Sequence, residues 1–407
     1  MRKLLLFLIL LPVVMLAQSA PYGIQSLTGT ADNTNRSLVP EAAYPSYPEY
    51  EAIMRGLTLR YPENCALEVW GTLPSGHRIL TLRITNQVAK AEARPQVLCS
   101  ATMHGDETAG YWLLLKLADH LLSENPGNIL QDLDIFINPL ANPDGAFRRG
   151  DASLRGASRG NAANVDLNRN YPDPDDGPHP DDHDYQPETE IFMRAAREHS
   201  FDLAINLHGG AEVFNYPWDT YRNRHPDNDW WQRISRDFAS RAQTASRRNG
   251  YFNDRHNGVT NGHDWYPVAG SRQDYMNYYH RCREATLEVS NRKHFPAQDL
   301  PDLWNWVSPA LIGFINEGRL GLHGVVTDRE TGRPLAAQLS IPGHDRANSD
   351  IFADGAYGNF HRYLAKGDYQ VLFSAPGYVP QWRNVSIRDG QRTNLKVSLE
   401  QLEPTRK

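Results

Sequence analysis

His104 and Glu107, in Met103-His104-Gly105-Asp106-Glu107-Thr108, stand three residues apart just after the apolar run Pro95 to Cys99. A turn or helix start at that spacing aims both side chains at one point. Imidazole and carboxylate are good Zn²⁺ ligands, and a catalytic zinc takes three protein ligands and keeps a fourth position open. Alone the pair is two-thirds of such a site, and a plain polar loop reads the same way. His208 offers a third ligand, closing the run Phe201 to Leu207 ahead of Gly209-Gly210. Sites in open α/β sheets lie at the carboxyl ends of strands. Two adjacent strand ends would thus join His104, Glu107 and His208 in a His₂Glu set with one open position, which suits hydrolysis. Glu288, after Ala285-Thr286-Leu287, is a carboxylate in the right kind of place to act as base, the alternative being a surface acid at a strand edge. In Asp166-Leu167-Asn168-Arg169-Asn170 the Asn and Arg together can grip a carboxylate by direct and bidentate hydrogen bonds. Arg159, with several arginines nearby, is a further candidate cation for an oxyanion.

The elements that must position these residues follow from hydrophobic spacing. Helices are predicted over 50–60, 110–122, 188–199, 229–247 and 304–317, and strands over 66–71, 78–84, 96–100, 133–138, 201–208 and 285–289. Pro74-Ser75-Gly76 reads as a hairpin turn between the first two strands. Short apolar strands separated by helices predict an α/β domain with a mixed, mostly parallel sheet flanked by helices. From Gly321 onward helical periodicity is absent, and alternating segments at 324–328, 337–341, 367–373 and 393–399 predict a small antiparallel sandwich. The expected division is a first domain over 44–318 and the sandwich over 319–401. No long linker separates them, so they are expected to pack together.

The 407-residue chain is 40% hydrophobic, enough for a full core and a second domain. Arg2-Lys3, the apolar run Leu4 to Leu16 and the small residues Ala17 to Ala20 have the layout of a secretory signal peptide over 1–19. That run is short for a transmembrane helix. An exported protein, secreted or periplasmic, is expected, without stable membrane insertion once the signal is cleaved. Residues 20–43 read as a loose leader. A net charge of −6 argues against nucleic acid as a partner. Three dispersed cysteines, Cys65, Cys99 and Cys282, allow at most one internal disulfide and suggest no structural metal cluster. The loop Tyr171 to Gln186 is rich in Asp, Pro and His; its carboxylates at 173–184 offer a Ca²⁺ site without regular calcium-loop spacing, or it is a Pro-stiffened excursion.

Taken with Gln186-Pro187-Glu188-Thr189, Asn206-Leu207-His208-Gly209-Gly210, Asn215-Tyr216-Pro217 and Thr286-Leu287-Glu288, these motifs have an order and spacing that resemble a known family. The chain resembles the zinc metallocarboxypeptidases of the funnelin type, in their regulatory branch with carboxypeptidases N, E, M and D, over roughly residues 44–400. The resemblance implies a carboxypeptidase-type α/β domain followed by a transthyretin-like β-sandwich, and one Zn²⁺ held by His104, Glu107 and His208. It implies Glu288 as general base and Arg159 as the cation that bears the oxyanion. Asn168 and Arg169 then hold the free C-terminal carboxylate, Tyr266 closes over it, and Asp166 orients a zinc-bound imidazole. Asp219 matches the aspartate that recognises terminal Lys or Arg, and Gln273 a polar residue on the pocket floor; a buried aspartate favours a cationic side chain over an apolar one. Cys282 stands where the branch usually has a cysteine. The implied partners are peptide or protein C-termini, preferentially basic.

Two departures bear on specificity. Arg272 stands where the family usually has a small or apolar residue, and a cation near the pocket would weaken a Lys or Arg preference. Met276 interrupts the usual run after Asp274. The rival reading is a related zinc amidase or deacylase acting on cell-wall peptides or acylated amino acids, which keeps the zinc ligands and base but differs at the clamp. A non-enzymatic binding protein would be expected to have lost Glu288 or a zinc ligand.

Overall fold

The computed structural model describes residues 37–90, 93–247 and 250–403. The signal-peptide expectation and most of the leader lie outside the described residues. In chain order the elements of the first domain begin with α1 (Tyr47–Arg60), β1 (Cys65–Thr72), β2 (Arg78–Ile84), β3 (Gln96–Ala101), α2 (Ala109–Glu124) and β4 (Asp134–Asn138). They continue through the one-turn α3 (Pro143–Ala146), α4 (Pro187–Glu198), β5 (Phe201–His208), β6 (Ala211–Tyr216) and α5 (Asn228–Ser246). Next come the short α6 (Asp254–Asn257), β7 (Val259–Asn261) and α7 (Gly262–Trp265), then α8 (Arg272–Tyr279), β8 (Arg283–Ser290) and α9 (Leu300–Glu317).

The eight strands form one sheet in the order β1-β2-β4-β3-β5-β8-β6-β7. The pairings β4–β3, β3–β5, β5–β8 and β6–β7 are parallel, while β1–β2, β2–β4 and β6–β8 are antiparallel, so the sheet is mixed and mostly parallel, as expected. Side chains alternate across it with the two-residue strand period. Val97, Cys99 and Ala101 of β3, Leu203, Ile205 and Leu207 of β5, and Ala285, Leu287 and Val289 of β8 share one core with α1, α2, α5 and α9. Leu98, Phe136 and Ala204 point to the other face, against α4 and α8. His208 and Glu288 fall in that second set by parity. The sequence reading missed β6, β7 and α8, which are short or polar and carry little periodicity.

The C-terminal part has two sheets. One holds β10 (Gln338–Ser340), β11 (Ile351–Phe352), β13 (Gly367–Ser374) and β14 (Gln381–Ile387); the other holds β9 (Gly321–Asp328), β12 (Asn359–Arg362) and β15 (Arg392–Leu399). Leu322, Val326, Phe360, Val371, Phe373 and Val397 fill the space between them. The expected antiparallel sandwich needs correcting at one pair: β15 runs parallel to β9 along the edge of the three-stranded sheet, while the other pairings are antiparallel.

Charge as well as apolar surface joins the sandwich to the first domain. Fully buried Asp227, just before α5, accepts hydrogen bonds from Arg283 Nε at 2.9 Å, Arg362 Nη1 at 2.6 Å and His344 Nε2 at 2.8 Å. Burial would raise the Asp227 carboxyl, but Arg362 and Arg283 hold it well below the usual carboxylate range. The Trp230 and Tyr363 rings stack beside it, 5.4 Å apart.

Candidate active site and metal centre

The chain leaves β3 through Thr102, whose φ of +60° lies in the left-handed region that β-branched residues rarely adopt. That turn carries Met103 and His104 out over the sheet end. Gly105 allows the loop to lie against the Gly145 backbone, where a Cβ would clash. His208 ends β5, and Glu288 faces it near the end of β8.

His104, Glu107 and His208 are 2%, 3% and 3% exposed, and their ligand atoms lie within 4.8 Å of one another. His104 Nδ1 is 3.0 Å and His208 Nδ1 is 2.9 Å from Glu107 Oε2, and the two Nδ1 atoms are 3.1 Å apart. Each ring is tethered through its other nitrogen: His104 Nε2 lies 2.9 Å from Asp166 Oδ1, and His208 Nε2 lies 2.7 Å from the Asn206 amide. The Asp166 contact turns the His104 Nδ1 lone pair to one point, which His208 Nδ1 and the Glu107 carboxylate also face. Two nitrogens and one carboxylate oxygen, oriented from behind, fit Zn²⁺. Burial pushes His208 down to about 4, whereas burial at His104 is outweighed by Glu107 and Asp166, which raise it to about 8, so metal binding would release the His104 proton.

Arg159 lies alongside this centre. Its Nε and Nη2 bond to Asp166 Oδ2 at 3.0 and 2.9 Å, and its Nη1 reaches Glu107 Oε1 at 3.3 Å. Asp166 also accepts from the Asn168 backbone N at 2.9 Å, so one carboxylate ties His104, Arg159 and Asn168 together. Asn168 Oδ1 accepts from the Arg272 backbone N at 2.9 Å, and Arg169 Nη1 donates to Asn168 O at 2.7 Å. Burial, reinforced by the nearby Glu107, pushes Glu288 up to about 8.

One cavity gathers His104, Arg159, Asn168, Arg169, His208, Asp219, Tyr266 and Glu288. Tyr266 stands at its mouth, 48% exposed. Asp219 is buried, and its Oδ1 accepts from Gln273 Nε2 at 3.0 Å and Asn215 Nδ2 at 3.2 Å. Gln273 stands behind the cavity wall, its Oε1 accepting from Thr286 N at 2.7 Å. Asp219 forms no ion pair among the described residues, and burial raises its carboxyl. Gly262 is required beside it, because a Cβ there would run into the Asp219 carboxylate.

Several supporting residues escaped the sequence reading. Asp274, fully buried, accepts from the backbone N of Asp219 and Thr220 at 2.8 to 3.0 Å and so holds the Asp219 loop. Asp173 accepts from Thr220 Oγ1 at 3.2 Å and Gly270 N at 2.9 Å. Lys293 Nζ lies 3.3 Å from Glu107 Oε1. Their one sequence signal is an acid or base close to a motif.

Arg272 does not bring its charge to the cavity. It is fully buried, bonded to Glu284 Oε1 at 2.8 Å and to Ser100 Oγ at 2.5 Å, with its guanidinium 4.3 Å from the Phe192 ring centroid. Met276 is fully buried in the α4–α8 core. Two acids of the Tyr171 to Gln186 loop are engaged by the protein itself: Asp173 by backbone donors, and Asp181 by Asn170 Nδ2 at 2.9 Å. Among the described residues, the His104, Glu107 and His208 set is the one group of three or more His, Cys, Asp or Glu placed to hold a metal, and Ca²⁺ at the loop finds no support. All three cysteines are free and buried.

The family model described as zinc carboxypeptidase matches residues 50–308, and that of the carboxypeptidase regulatory-like domain matches 321–400. The chain belongs to the zinc carboxypeptidase family. Carboxypeptidase M of Mus musculus is 33% identical over 348 residues, covering 81% of this chain and 77% of the relative. Carboxypeptidase SOL1 of Arabidopsis thaliana is 31% identical over 357 residues, covering 84% and 69%. Among solved structures, thrombin activatable fibrinolysis inhibitor matches the fold with a TM-score of 0.60 at 16% identity, over 70% of this chain and 79% of that one. This zinc carboxypeptidase is thus a metal-dependent exopeptidase acting on peptide or protein C-termini, with one Zn²⁺. No helix among its described residues is long and apolar enough to cross a membrane.

Proposed function

We propose that this carboxypeptidase removes C-terminal Lys or Arg. The observation that carries the proposal is Asp219: a buried carboxylate on the substrate cavity, held by Gln273 and Asn215 and without an ion-pair partner among the described residues. A cationic side chain entering there would supply the missing counter-charge, whereas an apolar one would leave the acid desolvated and unpaired.

Zn²⁺ bound by His104, Glu107 and His208 supplies Lewis-acid chemistry and a nucleophile at neutral pH. The other roles belong to side chains. Glu288 takes the proton of the attacking water and returns it to the leaving amine. Arg159, fixed by two bonds to Asp166, bears charge developing on the carbonyl oxygen without reorganising. Asn168 and Arg169 hold the substrate's terminal carboxylate, and Tyr266 covers it from the mouth. Asp166 orients His104. A clamp for a free carboxylate favours a carboxypeptidase over an amidase or deacylase.

We also propose that the catalytic unit spans 44–318 and the sandwich 319–401, and that the basic, apolar and small residues over 1–19 direct export. A hydrolysis panel of peptides ending in Arg, Lys, Leu, Phe and Glu tests the specificity. Faster release of Leu or Phe than of Arg or Lys would refute it, and equal rates on C-terminally amidated peptides would refute the clamp.

A further inference from the structure

A cleft of about 550 Å³ lies where the sandwich meets the first domain, and it shares no lining residue with the zinc-binding cavity. One wall comes from the end of α4, the start of β5 and the turn between α8 and β8; the other comes from β11 and β12. Its size falls in the range of small-molecule sites, roughly 300–1,000 Å³.

Three features of the walls point to one kind of ligand. First, two arginines line the cleft, Arg197 with no carboxylate partner among the described residues and Arg281 with one at long range. Arg197 forms no ion pair among the described residues and shares a hydrogen bond with the Tyr275 hydroxyl. Arg281 has Asp350 at 3.5 Å, while its buried Nε makes no hydrogen bond among the described residues. The lining acid Asp202 is occupied, accepting from Gln96 N at 2.8 Å and lying 3.1 Å from His361 Nδ1. Arg283 and Arg362, one in each wall, are paired with the buried carboxylates of Asp227 and, for Arg362, Asp345. Second, the Tyr363 hydroxyl is buried and without a hydrogen-bond partner among the described residues, a condition buried polar groups rarely tolerate. Third, Phe352 gives the cleft an exposed aromatic face, with the Arg281 guanidinium 4.9 Å from its ring centroid. Arg281 is held there at a φ of +58°, a strained conformation for a non-glycine residue.

We propose that this cleft binds a small organic oxyanion, a phosphate or sulfate ester on a ring. Arg197 and Arg281 take the oxyanion by charge-assisted hydrogen bonds, the Tyr363 hydroxyl donates to it, and the ring packs on the aromatic wall. Both domains contribute groups, so the bound ligand fastens the sandwich to the first domain and stabilises the whole chain by mass action.

Titration calorimetry on the full-length, zinc-loaded protein tests this with adenosine monophosphate, a sulfated disaccharide and inorganic phosphate as probes. Saturable one-to-one binding of either ester is expected, weakened at least tenfold in a combined Arg197→Gln, Arg281→Gln variant. Binding should persist in Arg169→Gln, which removes the other oxyanion-binding arginine, and the combined variant should keep the exopeptidase kcat/KM of the parent. Binding of one ester only assigns the source as phosphate or sulfate. No saturable binding of any probe, or binding unchanged in the combined variant, would overturn the proposal; inorganic phosphate binding as tightly as the esters would overturn the role of the ring. Hydrogen exchange on the unaltered protein reads the same site without substitution: an ester that slows exchange across 196–202 and 351–363 supports it, and unchanged exchange there at saturation refutes it.

Discussion

His208 and Glu288 are register partners on the neighbouring parallel strands β5 and β8, with His208 among the converging metal-ligand candidates and Glu288 one strand away. Parity sends both to the face opposite Leu207 and Leu287, which pack in the main core. The spacing of two hydrogen-bonded strands, about 4.8 Å, therefore sets the reach from ligand to base.

That pairing makes Glu288→Gln the direct test of the base. The amide keeps the shape and loses the proton acceptor. We expect kcat to fall about 10²- to 10⁴-fold, the usual worth of general acid–base catalysis, with zinc content unchanged. Steady-state kinetics with metal analysis checks it; near-normal turnover in a zinc-loaded variant would assign the base elsewhere.

For the specificity pocket, Asp219→Asn should lower kcat/KM for Arg-ending peptides about 100-fold, through loss of a desolvated charge pair worth about 2–5 kcal/mol on truncation of one partner. Hydrolysis of Leu-ending peptides should fall far less. Gly262→Ala should reproduce the loss by displacing the carboxylate. Equal losses on both peptides would point to a folding defect.

Chelation should abolish activity and lower Tm, and added Zn²⁺ should restore both, because a ligand that binds only the folded state stabilises it. Asp166→Asn should weaken zinc affinity or activity about 10- to 100-fold through loss of ring orientation. Competition against a chromophoric chelator measures the affinity; an Asp166→Asn protein with normal zinc affinity and kcat would remove its positioning role.

At the domain junction, Asp227→Asn leaves Arg283 buried without its counter-charge and Arg362 with Asp345 alone, 2.8 Å away, and we expect a loss of about 3–5 kcal/mol. Denaturant unfolding followed by tryptophan fluorescence measures it, and a loss under 1 kcal/mol would show that Asp345 and solvent compensate.

Stability should decline on the acid side in two stages. Burial pushes His323 down to about 3 and His280 to about 4, below the usual 6.5 of the unfolded chain. The unfolded state binds more protons as pH falls below about 6.5, so their contribution is present above that pH and is lost toward pH 3 to 4. Asp227, held low by its arginines, adds a further loss below about pH 4, the unfolded carboxylate value. Tm measured from pH 8 to 3 at constant ionic strength should fall from about pH 6.5 downward; a flat profile to pH 4 would contradict the histidine contribution.

Strands β3, β5 and β8 and helices α2, α4, α5 and α9 were legible because each buries a long apolar run or face, and the periodicity of that burial is written locally. The metal ligands were legible for a related reason: His104, Glu107 and His208 follow such strands, and a strand end is where a side chain can leave the core for a cavity. The sequence by itself determined those elements, the chemical types of the ligands and the family they resemble. The tertiary structure decided what charge meets what. Arg272 reads as a cation beside the specificity pocket, yet Glu284 and Ser100, 12 and 172 residues away, hold it inside the core. Asp274, which the sequence reading did not single out, holds the backbone that carries Asp219. The parallel β9–β15 pair and the Asp227 cluster are likewise contacts between distant segments. Local pattern records which groups a segment must bury or expose; pairing of buried charges depends on which segments the completed fold brings within hydrogen-bond reach.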